Sequence, residues 1–304
     1  MKSIQKAFLQ LHLSVLLAGF TGLFGKLIML HEVPLVWYRM LFTAAILLVF
    51  VGVPRVSMRK MGALAWVGAL LGLHWMLFYG SIKASNISIG VICYSLVGVF
   101  TAFFEPLLFH RRVRWSEVGF AMLTLCGLLC VFSFDARYRY GILIGVASAA
   151  VAALYSVFNK KISADVRSRT ALFYQMSGGL FVVSAIAPLY LRVFPSATAV
   201  MVVPQGRDLW WLLALSLFCT VGLYILQIQA LRRLSAFTVN LSFNLEPMYT
   251  ILIALVFFGE ARQLNLSFYA GMALILTSVT LQTWRSLREK RAGTEATPLN
   301  TPSV

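Results

Sequence analysis

Four charged residues interrupt long apolar segments of the chain: Lys26, Arg39, Glu105 and Glu246. If such segments cross a bilayer, a charge at the centre costs from about 2.5 to more than 10 kcal/mol. Residues of this kind therefore usually face a cavity or an oppositely charged partner. Their chemistry would be ion pairing, binding of a charged ligand, or transfer of a proton.

Glu246 has the most informative surroundings of the four. It lies near the middle of its segment, and Pro247 beside it removes a backbone donor and kinks a helix. Ser242, Tyr249 and Thr250 share its helical face. We expect Glu246 to line a substrate pathway, where a buried carboxyl could carry a proton. The alternative is a packing carboxyl that is hydrogen-bonded to a neighbour.

The other three charges allow simpler explanations. Arg39 lies about one turn inside its segment, so its side chain can extend outward, toward Glu32. Glu105 lies about one turn from the basic run Arg111–Arg114 and is expected to pair there. For both, a structural and a functional role remain open. Lys26 either lines the pathway or lies at the outer end of its helix.

Polar and aromatic residues also recur at helical spacing in other apolar segments. In lipid, a polar stripe must turn toward a packed interface or a water-filled path. Packing explains any single stripe, but their coincidence over several segments favours a pathway suited to a flat or apolar group. His74, next to one stripe, is interpreted as a hydrogen-bonded core histidine. The predicted pathway residues, besides Glu246 and Lys26, are Tyr94, Thr101, Trp75, Tyr79, Tyr155, Asn159, Tyr224, Gln227 and Asn244.

The composition indicates the medium in which these segments lie. Of 304 residues, 60% are hydrophobic and 12% are charged, whereas a globular domain is about a quarter charged. So few polar groups cannot cover a water-exposed surface. The net charge of +16 could suggest nucleic acid, but the basic residues form short runs between apolar stretches, which is typical of membrane topology. We predict a polytopic membrane protein that binds no nucleic acid.

Ten apolar segments are long enough to span a bilayer. With the N-terminus in the cytoplasm, Lys and Arg are roughly threefold enriched on the cytoplasmic side. Both termini are then cytoplasmic, and a bacterial cytoplasmic (inner) membrane is the expected location. The predicted spans cover residues 8–30, 35–53, 61–82, 86–109, 116–134, 141–158, 171–191, 209–231, 236–258 and 268–284.

The two halves of the chain correspond to each other. Ser81–Lys83 aligns with Ala230–Arg232 at an offset of 149 residues, and the same offset places Ser95–Thr101 on Asn244–Thr250. Because five spans is an odd number, corresponding spans cross in opposite directions. We predict an all-α fold of ten transmembrane helices in two inverted five-helix repeats. The repeats are residues 1–139 and 140–285, followed by a disordered cytoplasmic tail, 286–304.

Several short motifs accompany this repeat, and together they resemble a known family. They are Trp37-Tyr38-Arg39, Leu73-His74-Trp75, Phe104-Glu105-Pro106 and Asn244-Leu245-Glu246-Pro247. Over about residues 10–285 the chain resembles the ten-helix EamA-type branch of the drug/metabolite transporter superfamily. The resemblance implies a secondary transporter that exports small metabolites, such as amino acids, by alternating access.

The family's usual proline in the fourth span aligns with Gly98, and Pro106 follows two turns later. The pivot of that helix is therefore expected to be displaced. The candidate helix pivots are Pro247, Gly98 and Pro106.

Other functions remain as alternatives. A flippase for a lipid-linked sugar could use the same fold, and a channel would lack alternating states. A lipid-modifying membrane enzyme would need clustered His, Asp or Glu, and the loop acids here are sparse. No phosphate-binding loop is present, so gradients would drive transport. We expect no catalytic residue, metal or cofactor; the partners are a small-molecule substrate and lipid, and the protein is a monomer or homodimer.

We predict that Glu246→Gln abolishes or uncouples transport without loss of folded protein, because the amide cannot take up a proton. Uptake in proteoliposomes measures the effect, with size-exclusion chromatography as the control for folding. Normal uptake by this variant would assign Glu246 a structural role.

Overall fold

The computed structural model describes residues 2–85, 87–110, 115–131, 139–193, 204, 206–246 and 249–250, with scattered positions between 270 and 288. Within these ranges all regular secondary structure is helical. The helices are α1 Lys2–Leu27, α2 Glu32–Val51, α3 Met58–Ala84, α4 Ile87–Tyr94, α5 Val97–Phe109, α6 Trp115–Val131, α7 Arg139–Ile162, α8 Ser168–Val193, α9 Arg207–Ser216, α10 Leu223–Leu231 and α11 Ala236–Ser242.

Among the described residues, six helical segments are long and apolar enough to cross a membrane, and shorter apolar helices accompany them. This finding agrees with a polytopic membrane protein. The number of ten spans stays a prediction, since parts of the last two lie outside the described residues. The six segments are Ile4–Gly25, Glu32–Val51, Met58–Ala84, Arg139–Ile162, Ser168–Tyr190 and Arg207–Leu231.

Two helices are interrupted at corresponding positions of the two halves. The predicted fourth span breaks at residues 95–96, between α4 and α5. A 3₁₀ turn, Phe243–Leu245, follows α11, and residues 244–245 lie 149 positions after the first break. Irregular backbone at membrane depth is tolerated only inside protein or beside a water-filled cavity. Matched interruptions in the two halves therefore point to a binding site between them.

The break in the fourth span lies beside Gly98, not at Pro106. Helix α5 continues through Pro106 and ends at Phe109. The expected displacement of the helix pivot toward Pro106 is therefore not seen in the backbone. The corresponding proline of the second half, Pro247, lies outside the described residues.

Helix α3 joins the two halves, since it packs against both α7 and α8. Glycines allow its backbone to approach α8 directly. A Cβ atom added at Gly68 would lie 1.8 Å from the Gln175 carbonyl oxygen, and one at Gly178 would lie 2.3 Å from Ala65 Cα. Small residues at a helix interface permit this close packing. Helix α10, whose end aligns with the end of α3 in the internal repeat, packs in the same way against α1 of the first half.

Glu105 connects three helices, and only 1% of its surface is exposed. Its carboxylate accepts hydrogen bonds from the backbone N–H of Phe237 at 2.9 Å and of Ala236 at 3.4 Å, at the start of α11. Lys160 Nζ on α7 lies 3.2 Å from Oε1. A carboxylate at a helix N-terminus is stabilising. Its described partners thus lie far along the chain, while the expected partners at 111–114 lie outside the described residues.

We predict that Gly68→Ala lowers the stability of the protein by about 1–3 kcal/mol, because the added methyl group would force α3 and α8 apart. Gly62→Ala, in the same helix, is the matched control, since a Cβ there meets no described atom within 4 Å. Thermal unfolding in detergent compares the two variants. Equal melting temperatures would contradict the close backbone packing.

Candidate functional site

A small cavity lies between the two halves of the chain. Its volume is about 30 Å³, which is enough for one or two water molecules. Helices α1, α2, α3, α4 and α10 contribute lining residues, as does the segment after α11. In this conformation the cavity is too small for a metabolite, so binding requires the helices to separate.

The residues around the cavity follow the internal repeat. Eight of its twelve lining residues form four pairs, each separated by 149 positions. Two of these pairs are in direct contact. Trp75 Nε1 donates to Tyr224 Oη at 3.0 Å, and the rings of Tyr94 and Phe243 lie 6.5 Å apart. The four pairs are His74 with Leu223, Trp75 with Tyr224, Phe78 with Gln227, and Tyr94 with Phe243.

The contact between Trp75 and Tyr224 therefore places the cavity where corresponding positions of the two halves meet. Inverted-repeat transporters bind substrates at this place.

Arg39 lies at the cavity, and the expectation that it extends outward toward Glu32 is wrong. Its side chain is 1% exposed. Nε donates to Thr220 Oγ1 at 2.8 Å, and Nη1 donates to Tyr79 Oη at 3.0 Å. Nη2 donates to the Cys219 carbonyl at 3.0 Å. The guanidinium carbon lies 3.8 Å from the centroid of the Trp75 ring, a cation–π contact.

The depth of Arg39 explains why it does not reach the membrane surface. Helix α2 begins at Glu32, three residues before the predicted span, so Arg39 lies two turns inside the helix. Glu32 has other partners: Tyr190 Oη donates to its carboxylate at 2.8 Å, and His31 Nε2 lies 3.0 Å away.

A π-helical segment, Leu217–Gly222, joins α9 to α10 and supplies two acceptors to Arg39. These are the Cys219 carbonyl and the Thr220 hydroxyl, which itself donates to the Leu215 carbonyl at 3.0 Å. A π segment alters the backbone hydrogen-bond pattern and is frequent at functional sites. The irregular turn thus lies where the buried guanidinium needs its acceptors.

Glu246 lines the same cavity and is 5% exposed. The lining therefore includes one acidic and one basic side chain, set among aromatic rings. Gln227 adds an acceptor, since its buried Oε1 has no hydrogen-bond partner among the described residues. This arrangement can bind a small molecule that carries both a positive and a negative group.

His74 contributes to the wall of the cavity and also to the packing of α3 on α7. Its Nδ1 lies 2.8 Å from Ser148 Oγ, which donates to the His74 carbonyl at 3.0 Å. These bonds agree with the interpretation of His74 as a hydrogen-bonded core residue.

The structure brings five of the predicted pathway residues together at the cavity. These are Glu246, Tyr94, Trp75, Tyr224 and Gln227. A sixth, Tyr79, contacts the cavity through its hydrogen bond with Arg39.

Three predicted pathway residues lie elsewhere. Tyr155 stacks edge-on against Tyr224, and Asn159 Nδ2 donates to Tyr155 Oη at 3.0 Å. Asn159 Oδ1 in turn accepts from Gln175 on α8. Thr101 Oγ1 accepts from Asn240 Nδ2 at 2.8 Å, which joins α5 to α11. The side chains of Lys26 and Asn244 lie outside the described residues.

An all-helical membrane protein with a charged cavity between two repeats is typical of membrane transporters. The chain matches the EamA-like transporter family over residues 5–133 and again over residues 139–284. It therefore belongs to that family, and it is a membrane transporter of the drug/metabolite type. The two matches coincide with the two halves of the chain.

A solved structure shares the fold. A protein of known crystal structure aligns with 93% of this chain and 98% of its own, with a TM-score of 0.70 and 19% sequence identity. At this identity the likeness concerns the fold alone. A search of curated proteins gives no match.

We predict that Arg39 and Glu246 are energetically coupled. Arg39→Met leaves a buried carboxylate beside a cavity without its nearby positive charge, which is strongly destabilising. The double variant Arg39→Met/Glu246→Gln should therefore be less destabilised than the sum of the single variants, by about 1–3 kcal/mol. Thermal unfolding of the four proteins in detergent measures this coupling; strictly additive effects would show that the two charges do not interact.

Proposed function

We propose that this protein is a secondary transporter that exports small metabolites, such as amino acids, across the bacterial cytoplasmic membrane. The proposal includes ten spans, cytoplasmic termini and alternating access between two inverted repeats. One observation carries it: Arg39 and Glu246 line a cavity at which corresponding residues of the two halves meet.

The charges of the cavity match the two charged groups of an amino acid. A guanidinium has five N–H donors, and described residues accept three of those of Arg39. The remaining two can bind a carboxylate, for which arginine is well suited. Glu246 would bind the ammonium group. The rings of Trp75 and Tyr224 would contact an apolar or aromatic side chain.

The small volume of the cavity fits an occluded state. A site of about 30 Å³ must open toward one side of the membrane to admit a substrate. The interrupted helices, at 95–96 and at Phe243–Leu245, lie beside the cavity residues Tyr94 and Phe243. They are suitable hinges because short irregular segments absorb large backbone changes.

Competition at Glu246 would couple export to a proton gradient. A carboxylate can bind an ammonium group or a proton, but not both. In the outward-facing state, release of the substrate allows Glu246 to take up a proton. After the change to the inward-facing state, loss of that proton to the cytoplasm allows a new substrate to bind. Each cycle would move protons inward and the metabolite outward.

The test is transport by purified protein in sealed liposomes, with a pool of labelled amino acids and an imposed or omitted pH gradient. Because protons and substrate exchange, we expect one or a few compounds to accumulate in the more acidic compartment, and only with the gradient. Glu105→Gln is the matched control for Glu246→Gln, since it neutralises a buried carboxylate outside the cavity lining.

Equilibration of a compound at the same rate with and without the gradient would contradict the exchange mechanism. If no amino acid of the pool were transported but a lipid-linked sugar were, the result would favour the flippase instead.

A further inference from the structure

A second and larger pocket, of about 680 Å³, opens at the ends of α2, α8 and α10. Three separate segments form it: residues that follow α2, the turn into α8, and the end of α10. These segments belong to the membrane face that the charge distribution predicts to be cytoplasmic. The pocket shares no lining residue with the cavity between the two halves.

Positive charge converges on this pocket. Arg55, Arg167, Arg169 and Arg232 line it, contributed by all three segments. The enrichment of basic residues on the cytoplasmic side accounts for arginines in each loop. It does not require that side chains of distant segments meet around one concavity.

The acidic residue of the lining, Asp165, is already engaged. Lys60 Nζ forms an ion pair with its carboxylate. The hydrogen bond from Lys60 lowers the pKa of Asp165, so the carboxylate stays ionised at neutral pH. Asp165 therefore neutralises Lys60 and leaves the four arginines in excess.

The start of α8 adds two features that suit an anion. Ser168, Arg169 and Thr170 form its first turn and line the pocket. N–H groups of a first helical turn lack intrahelical acceptors and favour anions such as phosphate. In addition, Ser168 is only 6% exposed, and its Oγ has no hydrogen-bond partner among the described residues.

We propose that this pocket binds the phosphate group of an anionic ligand, either the headgroup of an anionic phospholipid or a soluble phosphate ester. Arginine guanidinium groups bind phosphate oxygens in bidentate geometry, and the Ser168 hydroxyl can donate a further bond. Val51, Val56 and Val166 supply apolar contacts. Basic pockets between membrane helices on the cytoplasmic side bind lipid headgroups in this way.

Such a ligand would connect both halves of the protein. Val51 and Arg55 belong to the first half, and Arg169 and Arg232 to the second. Helices α2 and α10 also carry Arg39 and Tyr224, which line the cavity between the two halves. A bound phosphate group would therefore stabilise the conformation in which these helix ends are close.

Native mass spectrometry of the purified full-length protein tests the proposal. The probes are phosphatidylglycerol, phosphatidylcholine and glycerol 3-phosphate. The triple variant Arg55→Gln/Arg167→Gln/Arg169→Gln removes three pocket charges. The triple variant Lys6→Gln/Arg59→Gln/Lys161→Gln is matched in charge, and its residues are exposed and outside the pocket lining.

We expect the pocket variant to bind phosphatidylglycerol or glycerol 3-phosphate about tenfold more weakly than the control variant. Ser168→Ala, which leaves the charge unchanged, should weaken the same binding severalfold. Preference for phosphatidylglycerol over glycerol 3-phosphate would identify the ligand as a lipid, and the reverse as a soluble ester. The proposal would be overturned if both triple variants lost the same amount of binding affinity. It would also be overturned if the unmodified protein bound neither phosphatidylglycerol nor glycerol 3-phosphate.

Discussion

The structure depends on one buried guanidinium, that of Arg39. A charge two turns inside a membrane helix is tolerated only where polar groups surround it. The first half of the chain supplies Tyr79 and the face of the Trp75 ring, and the second half supplies Thr220 and the Cys219 carbonyl. Arg39 is therefore satisfied only when the two halves are together, and its interactions help to keep them together. The π-helical turn at Leu217–Gly222 follows from this need, since it presents both acceptors of the second half.

The internal repeat explains why the cavity lies where it does. Corresponding positions of the two halves meet at this cavity. Trp75 and Tyr224 are such a pair, and so are Tyr94 and Phe243. The two charges depart from this correspondence, because Arg39 comes from the first half and Glu246 from the second. Under the proposed function, this pair would orient a substrate that has two different charged groups.

Much of the fold could be predicted from apolar segments and from the 149-residue offset. Glu246 is predicted from its charge in the middle of an apolar segment, and Trp75, Tyr224 and Gln227 from polar stripes at helical spacing that coincide over several segments. All four line one cavity. Phe78 and Phe243 were missed because apolar aromatic residues in lipid carry no signal of their own. The offset could have found them, since it pairs Phe78 with Gln227 and Phe243 with Tyr94.

The wrong expectation for Arg39 has a physical cause. Arg39 was placed near the surface because the predicted span began three residues late, almost one helical turn, and one turn decides whether a side chain reaches water. For Glu105, the described partners Lys160, Ala236 and Phe237 lie more than 50 residues away, and the expected pairing with residues 111–114 stays a prediction. Local sequence determines helical periodicity, whereas the partners of a buried charge depend on tertiary packing.

The most direct test of the account is a pair of distance measurements between spin labels on opposite membrane faces. After replacement of the native cysteines, Lys83 and Arg192 would report on the predicted outer face, and Met58 and Lys161 on the inner face; all four are exposed and each pair joins the two halves. Alternating access between the two halves predicts that the distance on one membrane face lengthens as the distance on the other face shortens. This change is expected when the pH or the amino acid pool is changed. Distances that stay fixed, or that lengthen together as in a channel, would contradict it.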